Sequence, residues 1–574
     1  MKERSYKANL LIEGMAKKLN RQMVGSLVAC VHCGMCTESC HYVLTNPDDP
    51  TYAPAYKADR MRKIFKRHYD WTGRVFPWWV GAKSIFTDEE LEELKDISFG
   101  KCTNCRRCSI NCPMGVDFAT FNRALRGLLV SVGVMPEGVA VVSKDQWEIG
   151  NQMGVLPEDY IDTLDWLSEE MQSEFDDETA VIPIDKLDAD IVYTINPREV
   201  KYDPRTISDA AKIFHIAGEN WTMPSEGWDM TNFGLFSGDD ALGGAVAIRV
   251  YEKLKELRGK KLVISECGHG YRSTRCEGPN WAGIDQDFIM ESSVFTMLNY
   301  IKEGKIKVDK SKNTGSYTFH DSCNNARSCG LYEEPRELLN LVVSDFREMY
   351  PNRNENYCCT GGGGAMSMSE YTSRRLKSAK VKADQLKATG ANIVVTSCHN
   401  CVDGLTDLIK HYDLKMEVKQ LVNLVANALV IPEKITAPEV PTVEIKKAPL
   451  AGRKILVVDD EPDILVFFKS VLEDNGAIVF EASNGEDAIS IALKEKPELM
   501  TLDINMPGKD GGWVFENLRR NPEIASTKVC IITGRPELRR LIYDRPVPMP
   551  EGYLDKPVDP DTLLFNVRKI LEVG

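Results

Sequence analysis

"ANIVVTSCHNC", residues 391 to 401, is a short run of β-branched and apolar residues that stops at two cysteines spaced Cys-x2-Cys. Such a run without helical period reads as a buried strand, and its thiol-bearing tail as the loop beyond the carboxyl end. The same form recurs in "DIVYTIN" (190–196), "KKLVISECGHG" (260–270) and "GSYTFHDSC" (315–323). Helical stretches such as "PRELLNLVVSDFREMY" (335–350) and "YTSRRLKSAKVKADQLKA" (371–388) lie between them, so this region is expected to be α/β with parallel strands. In such sheets ligands gather beyond the carboxyl ends of the strands, where these cysteines would stand. The runs near 261 and 392 carry a cysteine-pair remnant and a cysteine pair, which points to an internal duplication.

The 574 residues exceed what one hydrophobic core organises, so several domains are expected. No apolar stretch approaches the roughly 20 residues that cross a bilayer. "MKERSYKANLLIEG" lacks the apolar core of a signal peptide, so the expected location is cytoplasmic. The first 28 residues read as an amphipathic helix. A net charge of −14 argues against a nucleic-acid partner. The basic run "YKADRMRKIFKRHY" (56–69) is either a solvated helix face or a docking surface for an acidic partner or a membrane. "VFPWWVGA" (75–82) is either a small core or the interface to a membrane subunit. Seventeen cysteines in a reducing compartment point to metal ligation rather than disulfides; Cys530, apart from the rest, reads as a buried thiol.

Two segments repeat one cysteine spacing. "CVHCGMCTESC" holds Cys30, Cys33, Cys36 and Cys40; "CTNCRRCSINCP" holds Cys102, Cys105, Cys108 and Cys112. In Cys-x2-Cys-x2-Cys-x3-Cys, three thiolates hold three irons of a [4Fe–4S] cubane and the fourth reaches the other cubane. Cluster 1 is therefore assigned Cys30, Cys33, Cys36 and Cys112, and cluster 2 Cys102, Cys105, Cys108 and Cys40. Zinc, held by pairs of Cys-x2-Cys, leaves the trailing cysteine unexplained. His41 follows the first motif where Pro113 follows the second.

A third group joins Cys323, the doublet Cys358 and Cys359 in "NENYCCTGGGGAM" (354–366), and Cys398 and Cys401. Five thiolates from three loops can surround an iron–sulfur assembly larger or more open than a cubane. The glycines let the backbone approach it and present N–H groups to its sulfurs. The pattern resembles the CCG domain of heterodisulfide reductases. "VHCGMCTESCHYVLTNPDDPTYAPAYKADRMRKIFKRHY", "HDSCNNARSCGLYEEPRELL" and "VVTSCHNCVDGLTDL" more closely resemble DsrK, the iron–sulfur subunit of the membrane complex associated with dissimilatory sulfite reductase, over residues 5 to 430. The resemblance implies one non-cubane [4Fe–4S] cluster on Cys323, Cys358, Cys359, Cys398 and Cys401 that cleaves disulfides or trisulfides. It also implies electrons drawn from menaquinol through the haem b subunit of a DsrMKJOP-like complex, a DsrC-like sulfur carrier as acceptor, and peripheral attachment to the cytoplasmic membrane. Two places depart from the family pattern. Thr360 stands where the motif has glycine, and the first half keeps Cys267 but has Gly270 and a doublet-free "GWDMTNFGLFSGDD" (227–240). Cys267, Cys276 and Cys329 read as core thiols, Cys267 being the candidate extra ligand. His320, His399 and His269 stand beside cluster cysteines, either as proton donors or as hydrogen-bond partners of a sulfur or the backbone.

Residues 431–452, "IPEKITAPEVPTVEIKKAPLAG", read as a proline-rich linker. Beyond it the sequence resembles a response-regulator receiver. "KILVVDDEPD" ends a strand in Asp459 and Asp460, "LMTLDINMPGKDGG" in Asp503, "VCIITG" supplies Thr533, and "GYLDKP" supplies Tyr553 and Lys556. Such carboxylates can hold Mg²⁺ while Asp503 accepts phosphorus and Lys556 steadies the added charge. The expected fold is multi-domain: a helical two-[4Fe–4S] ferredoxin-like domain (1–135), a duplicated α/β CCG domain with a degenerate first half (136–430), the linker, and an α/β flavodoxin-like receiver (453–574). Two rival functions stay open. One is a passive electron carrier for a flavin dehydrogenase, whose flavin would sit elsewhere because no G-x-G-x-x-G fingerprint is evident. The other is a redox sensor signalling through the receiver.

Overall fold

A computed structural model describes residues 4–285, 288–431, 449–533, 547–556, 558 and 560–573. The chain divides into two compact units, Met1–Pro432 and Glu433–Gly574. Most of the expected linker, 432–448, lies outside the described residues.

The first unit opens with two helices, Tyr6–Lys18 and Arg21–Ala29, where the sequence suggested one. The break has a local cause: the Asn20 side chain accepts the Met23 N–H at 2.9 Å, a cap that starts a new helix. Leu11 and Met15 pack with Leu91, Leu94, Phe121, Leu125 and Leu128 into one core. The basic run falls inside the helix Pro54–Tyr69. Ala58, Met61 and Ile64 face that core, Lys57 is buried against the Lys101 carbonyl at 2.5 Å, and Arg62 and Lys63 pair with Asp59. "VFPWWVGA" is not a small core: Trp78 and Trp79 are 77% and 79% exposed.

Two parallel sheets follow. The first contains β1 (Ile191–Thr194), β2 (Trp221–Thr222), β3 (Lys261–Ile264) and β4 (Ile289–Ser292) in the order β2-β1-β3-β4. The second contains β5 (Ser316–His320), β6 (Asp345–Phe346), β7 (Ile393–Thr396) and β8 (Glu417–Gln420) in the order β6-β5-β7-β8. One order in both sheets displays the duplication. β3 matches β7, so Cys267 and Gly270 after β3 occupy the places of Cys398 and Cys401 after β7. β1, β3, β5 and β7 are buried on both faces, as a parallel strand covered by helices must be.

The second unit is a parallel sheet of β9 (Lys454–Val458), β10 (Ile478–Ala482), β11 (Leu499–Asp503), β12 (Lys528–Thr533) and β13 (Gly552–Asp555), in the order β10-β9-β11-β12-β13. This is the 2-1-3-4-5 order of flavodoxin-like folds, which gathers ligands at the β9 and β11 ends. Leu502 is fully buried within its core. Leu502→Ala should lower the stability of the second unit by about 2–5 kcal/mol, read by calorimetry, while the visible iron–sulfur absorption of the full chain stays unchanged.

Candidate metal centre

The two short cysteine motifs fold on a repeated backbone. His32 and Asn104, one residue before the second cysteine of each, both take positive φ (55° and 53°). Gly34 and Arg106, one residue after it, do the same (86° and 64°) and open the helices Met35–Glu38 and Arg107–Ile110. Arg106 bears a side chain in a region that favours glycine, and Asp117 anchors it at 2.8 Å. Cys30, Cys33, Cys36 and Cys112 line one cavity. Cys40, Cys102, Cys105 and Cys108 line another. Each cavity thus brings three cysteines of one motif together with the trailing cysteine of the other, and Phe118 lies on the wall of both. The donor set fits a four-iron cube in each: four thiols, with the Asn104 N–H pointing at the Cys102 sulfur at 3.4 Å. Burial pushes the thiols of Cys36, Cys40 and Cys108 up, a cost that cationic iron would offset.

The five remaining candidates converge from three loops. Cys323 follows β5, the doublet lies on the connection to β7, and Cys398 and Cys401 follow β7. The thiols of Cys323, Cys358, Cys359, Cys401 and Cys398 neighbour one another in that order, with the Cys359 and Cys401 sulfurs and a His320 ring nitrogen within 4.8 Å of one another. Cys358 also neighbours Cys105 of the second motif, and the Thr103 hydroxyl lies 3.4 Å from the Cys358 sulfur. Four of the quintet are buried; Cys323 is half-buried and marks the accessible side. Backbone N–H groups of Thr360 and Gly361 point at the sulfurs of Cys358 and Cys359 at 3.2 and 3.4 Å. Thr360 takes φ +69°, which explains why a glycine suits this place.

The glycine loop is bare mainly because backbone meets backbone. A Cβ on Gly361 would lie 2.0 Å from the Asn400 carbonyl, and one on Gly363 2.4 Å from the Thr103 carbonyl. Arg126, with no exposed surface, fixes this approach. Its guanidinium donates to the carbonyls of Ser98 (3.0 Å), Phe236 (2.9 Å), Gly363 (2.7 Å) and Cys102 (2.6 Å). Burial pulls its pKa down to about 10, so it remains charged.

The histidines separate into two kinds. Asn356 donates to the Asp321 carbonyl at 2.8 Å, which fixes its amide orientation, and to His320 Nδ1 at 3.1 Å. Nδ1 is then an acceptor, so Nε2 carries the proton of neutral His320, whose ring contacts Cys359. Burial first, then the Lys382 charge, holds His320 below the ordinary histidine range. Lys382, buried and donating to Asn356 Oδ1 at 2.6 Å, is itself pulled down to about 7 by burial. His269 Nδ1 lies 3.3 Å from the Cys267 sulfur, and its ring also reaches Cys398. His399 turns away from sulfur and meets the Glu199 carboxylate at 2.9 Å.

The first half offers no second quintet. Asn196 stands beyond β1 and donates to the Cys267 sulfur at 3.5 Å. A Cβ on Gly270 would lie 2.2 Å from the Met230 sulfur, so Met230 fills the place a cysteine would need. In the second unit, Lys556 reaches Asp459 at 2.7 Å, Asp503 at 2.8 Å and Glu461 at 3.2 Å. Burial works against the Lys556 charge, but those carboxylates outweigh it and hold its pKa above the ordinary range. The carboxylate oxygens that converge belong to Asp459, Glu461 and Asp503; Asp460 is not in that group. The Thr533 carbonyl accepts the Lys556 N–H at 2.9 Å, and Tyr553 lies on β13 beside β12.

Comparison with known proteins matches these regions to three families: a 4Fe-4S dicluster domain over residues 26–116, the CCG cysteine-rich domain over 317–405, and the response regulator receiver domain over 455–568. An Hdr-like menaquinol oxidoreductase iron-sulfur subunit of Archaeoglobus fulgidus is 27% identical over 492 residues, 77% of this chain and 87% of that protein. A dihydromethanophenazine:CoB–CoM heterodisulfide reductase subunit from Methanosarcina mazei is 28% identical over 420 residues, 72% of this chain and 96% of that protein. Protein PilH of Pseudomonas aeruginosa is 33% identical over 118 residues, 21% of this chain and 97% of that protein. Over about three quarters of its length the chain is similar to Hdr-like iron–sulfur subunits, and its residues 455–568 match the response regulator receiver domain.

Sequence reasoning missed several residues of this centre. Arg126, Thr103, Asn356 and Lys382 act across hundreds of positions or through buried networks, and none sits in a cysteine motif as a ligand. Glu461 follows Asp460 directly, and its place in the acidic run was the signal for a third carboxylate. Arg126→Met leaves four buried carbonyls without their donor and should lower the stability of the first unit by at least about 3 kcal/mol, measured by anaerobic urea unfolding.

Proposed function

We propose that this chain is the cytoplasmic iron–sulfur subunit of a membrane redox complex, passing electrons from menaquinol, through a haem b partner and two cubane clusters, to a non-cubane cluster that reduces a disulfide or trisulfide on a DsrC-like carrier. The observation that carries this reading is the 3.4 Å approach of the Thr103 hydroxyl, from the second cysteine motif, to the Cys358 sulfur, which brings the dicluster cysteines beside the quintet without an intervening layer. The clusters, when bound, supply one-electron transfer at each step.

The chain's own residues mark two ends for that transfer. Cys33 is exposed, with Val31, Met35 and Met114 exposed around it, and suits the face where a donor docks. Trp71, Trp78 and Trp79, exposed beside the basic helix, extend that role toward a membrane subunit. Cys323 marks where a substrate sulfur approaches, and the Nε2–H of His320 is placed to donate a hydrogen bond to the Cys359 sulfur. In the receiver, Asp503 is the phosphoacceptor, Asp459 and Glu461 are the carboxylates that converge with it and are available to Mg²⁺, and Thr533, Tyr553 and Lys556 form the switch.

Anaerobically reduced protein mixed with a trisulfide-bearing carrier of the DsrC type should release thiol. Cys358→Ser and Cys359→Ser should each abolish release while the two cubane signals persist in paramagnetic resonance spectra. No release from the native protein, with reduction only by a flavoprotein, would instead make the chain a passive carrier. Acetyl phosphate and Mg²⁺ should add one phosphoryl group to the intact chain by mass spectrometry, and Asp503→Ala should remove that adduct. Loss of the biological effect in Asp503→Ala with normal thiol release would favour the signalling role.

A further inference from the structure

Cys276 and Cys329 belong to none of the ligand sets above. Cys276 lies in the turn Ser273–Glu277 after β3, and Cys329 ends the turn Asn324–Ser328 after β5, so one comes from each half of the duplication. Their sulfurs are 3.5 Å apart, and a disulfide would need them closer by only about 1.5 Å. Cys276 is exposed and Cys329 half-buried. Around them the backbone is held: Arg272 pairs with Glu277 at 2.9 Å and donates to Asn324 at 3.3 Å, linking the two turns, and Arg275 bonds the Tyr271 hydroxyl.

We propose that Cys276 and Cys329 form a second redox site, a dithiol that exchanges with organic disulfides independently of the iron–sulfur centres. The two thiols have different parts. Cys276 is the attacking sulfur, because it is exposed; contact from the Cys329 thiol and the nearby Arg275 and Arg272 charges also lower its pKa to about 7, against burial and the Glu277 charge. Cys329 is the resolving sulfur, its own ionisation pushed upward by the same contact and by burial.

For a disulfide RSSR, the Cys276 thiolate attacks one sulfur, forming a Cys276–SR bond and expelling RS⁻, which takes up the proton Cys276 released. Cys329 then loses its proton and attacks the Cys276 sulfur. The Cys276–Cys329 bond forms, and the second RS⁻ leaves with that proton. Two electrons pass from the dithiol to RSSR, and two RSH are produced. The oxidised couple ties the turn after β3 to the turn that begins beside Cys323.

Glutathione disulfide serves as the probe on the full-length, cluster-loaded chain under anaerobic conditions, with peptide mapping after alkylation. The native protein should yield a peptide pair joined through Cys276 and Cys329, and alkylation at both positions should be lost together. Cys329→Ser should instead accumulate glutathione on Cys276, and Cys276→Ser should leave Cys329 open to alkylation with no adduct. Two freely alkylated thiols in the treated native protein, or an adduct that forms on Cys329 in Cys276→Ser, would overturn the assignment.

Discussion

The first unit depends on one buried cation. Arg126 has no exposed surface, stays charged, and gives its protons to carbonyls from four places: the turn before the second cysteine motif, Cys102 itself, the first α/β half at Phe236, and the glycine loop at Gly363. A guanidinium can do this because its donors form a fixed planar fork, which a lysine ammonium cannot reproduce. Its desolvation is tolerated only while all those carbonyls stay aimed at it, so the three regions hold each other in register through a single side chain. The Phe99 ring, 4.5 Å from the guanidinium carbon, closes the remaining side.

That register explains the bare loop beside the cysteine doublet. The loop runs between the Thr103 and Asn400 backbones, and a side chain at Gly361 or Gly363 would push the two cysteine-bearing regions apart. The two cysteine-bearing regions meet there backbone against backbone. Thr360 shows the limit of this demand, since it keeps a side chain in the left-handed region and still points its N–H at Cys358.

Much of the architecture is legible in the sequence because cysteine spacing and strand periodicity are local signals. Each motif's cysteines share a cavity with the trailing cysteine of the other, and Asp459 and Asp503 converge at their strand ends, where Glu461 rather than Asp460 joins them. What is not legible depends on distant packing. The division of labour among the histidines follows from Asn356 and Glu199, neither of which neighbours its histidine in the chain. The vestigial character of the first half is legible in its lost cysteines, but its cause, Met230 lodged against Gly270, appears only when the sheet is folded. That half still contributes structure: Glu266, which burial lifts to about 8, accepts the N–H groups of Leu421 and Val422 and braces the helix that follows β8.

The exposed setting of Cys33 and the enclosed setting of Cys358, Cys359, Cys398 and Cys401 grade the molecule's sensitivity to air. An oxidant reaches the exposed thiol before the enclosed ones, so chemical damage would begin at the rim and move inward. A preparation handled carelessly would lose its outer thiol first, and the intact interior alone would overstate how much of the sample is undamaged.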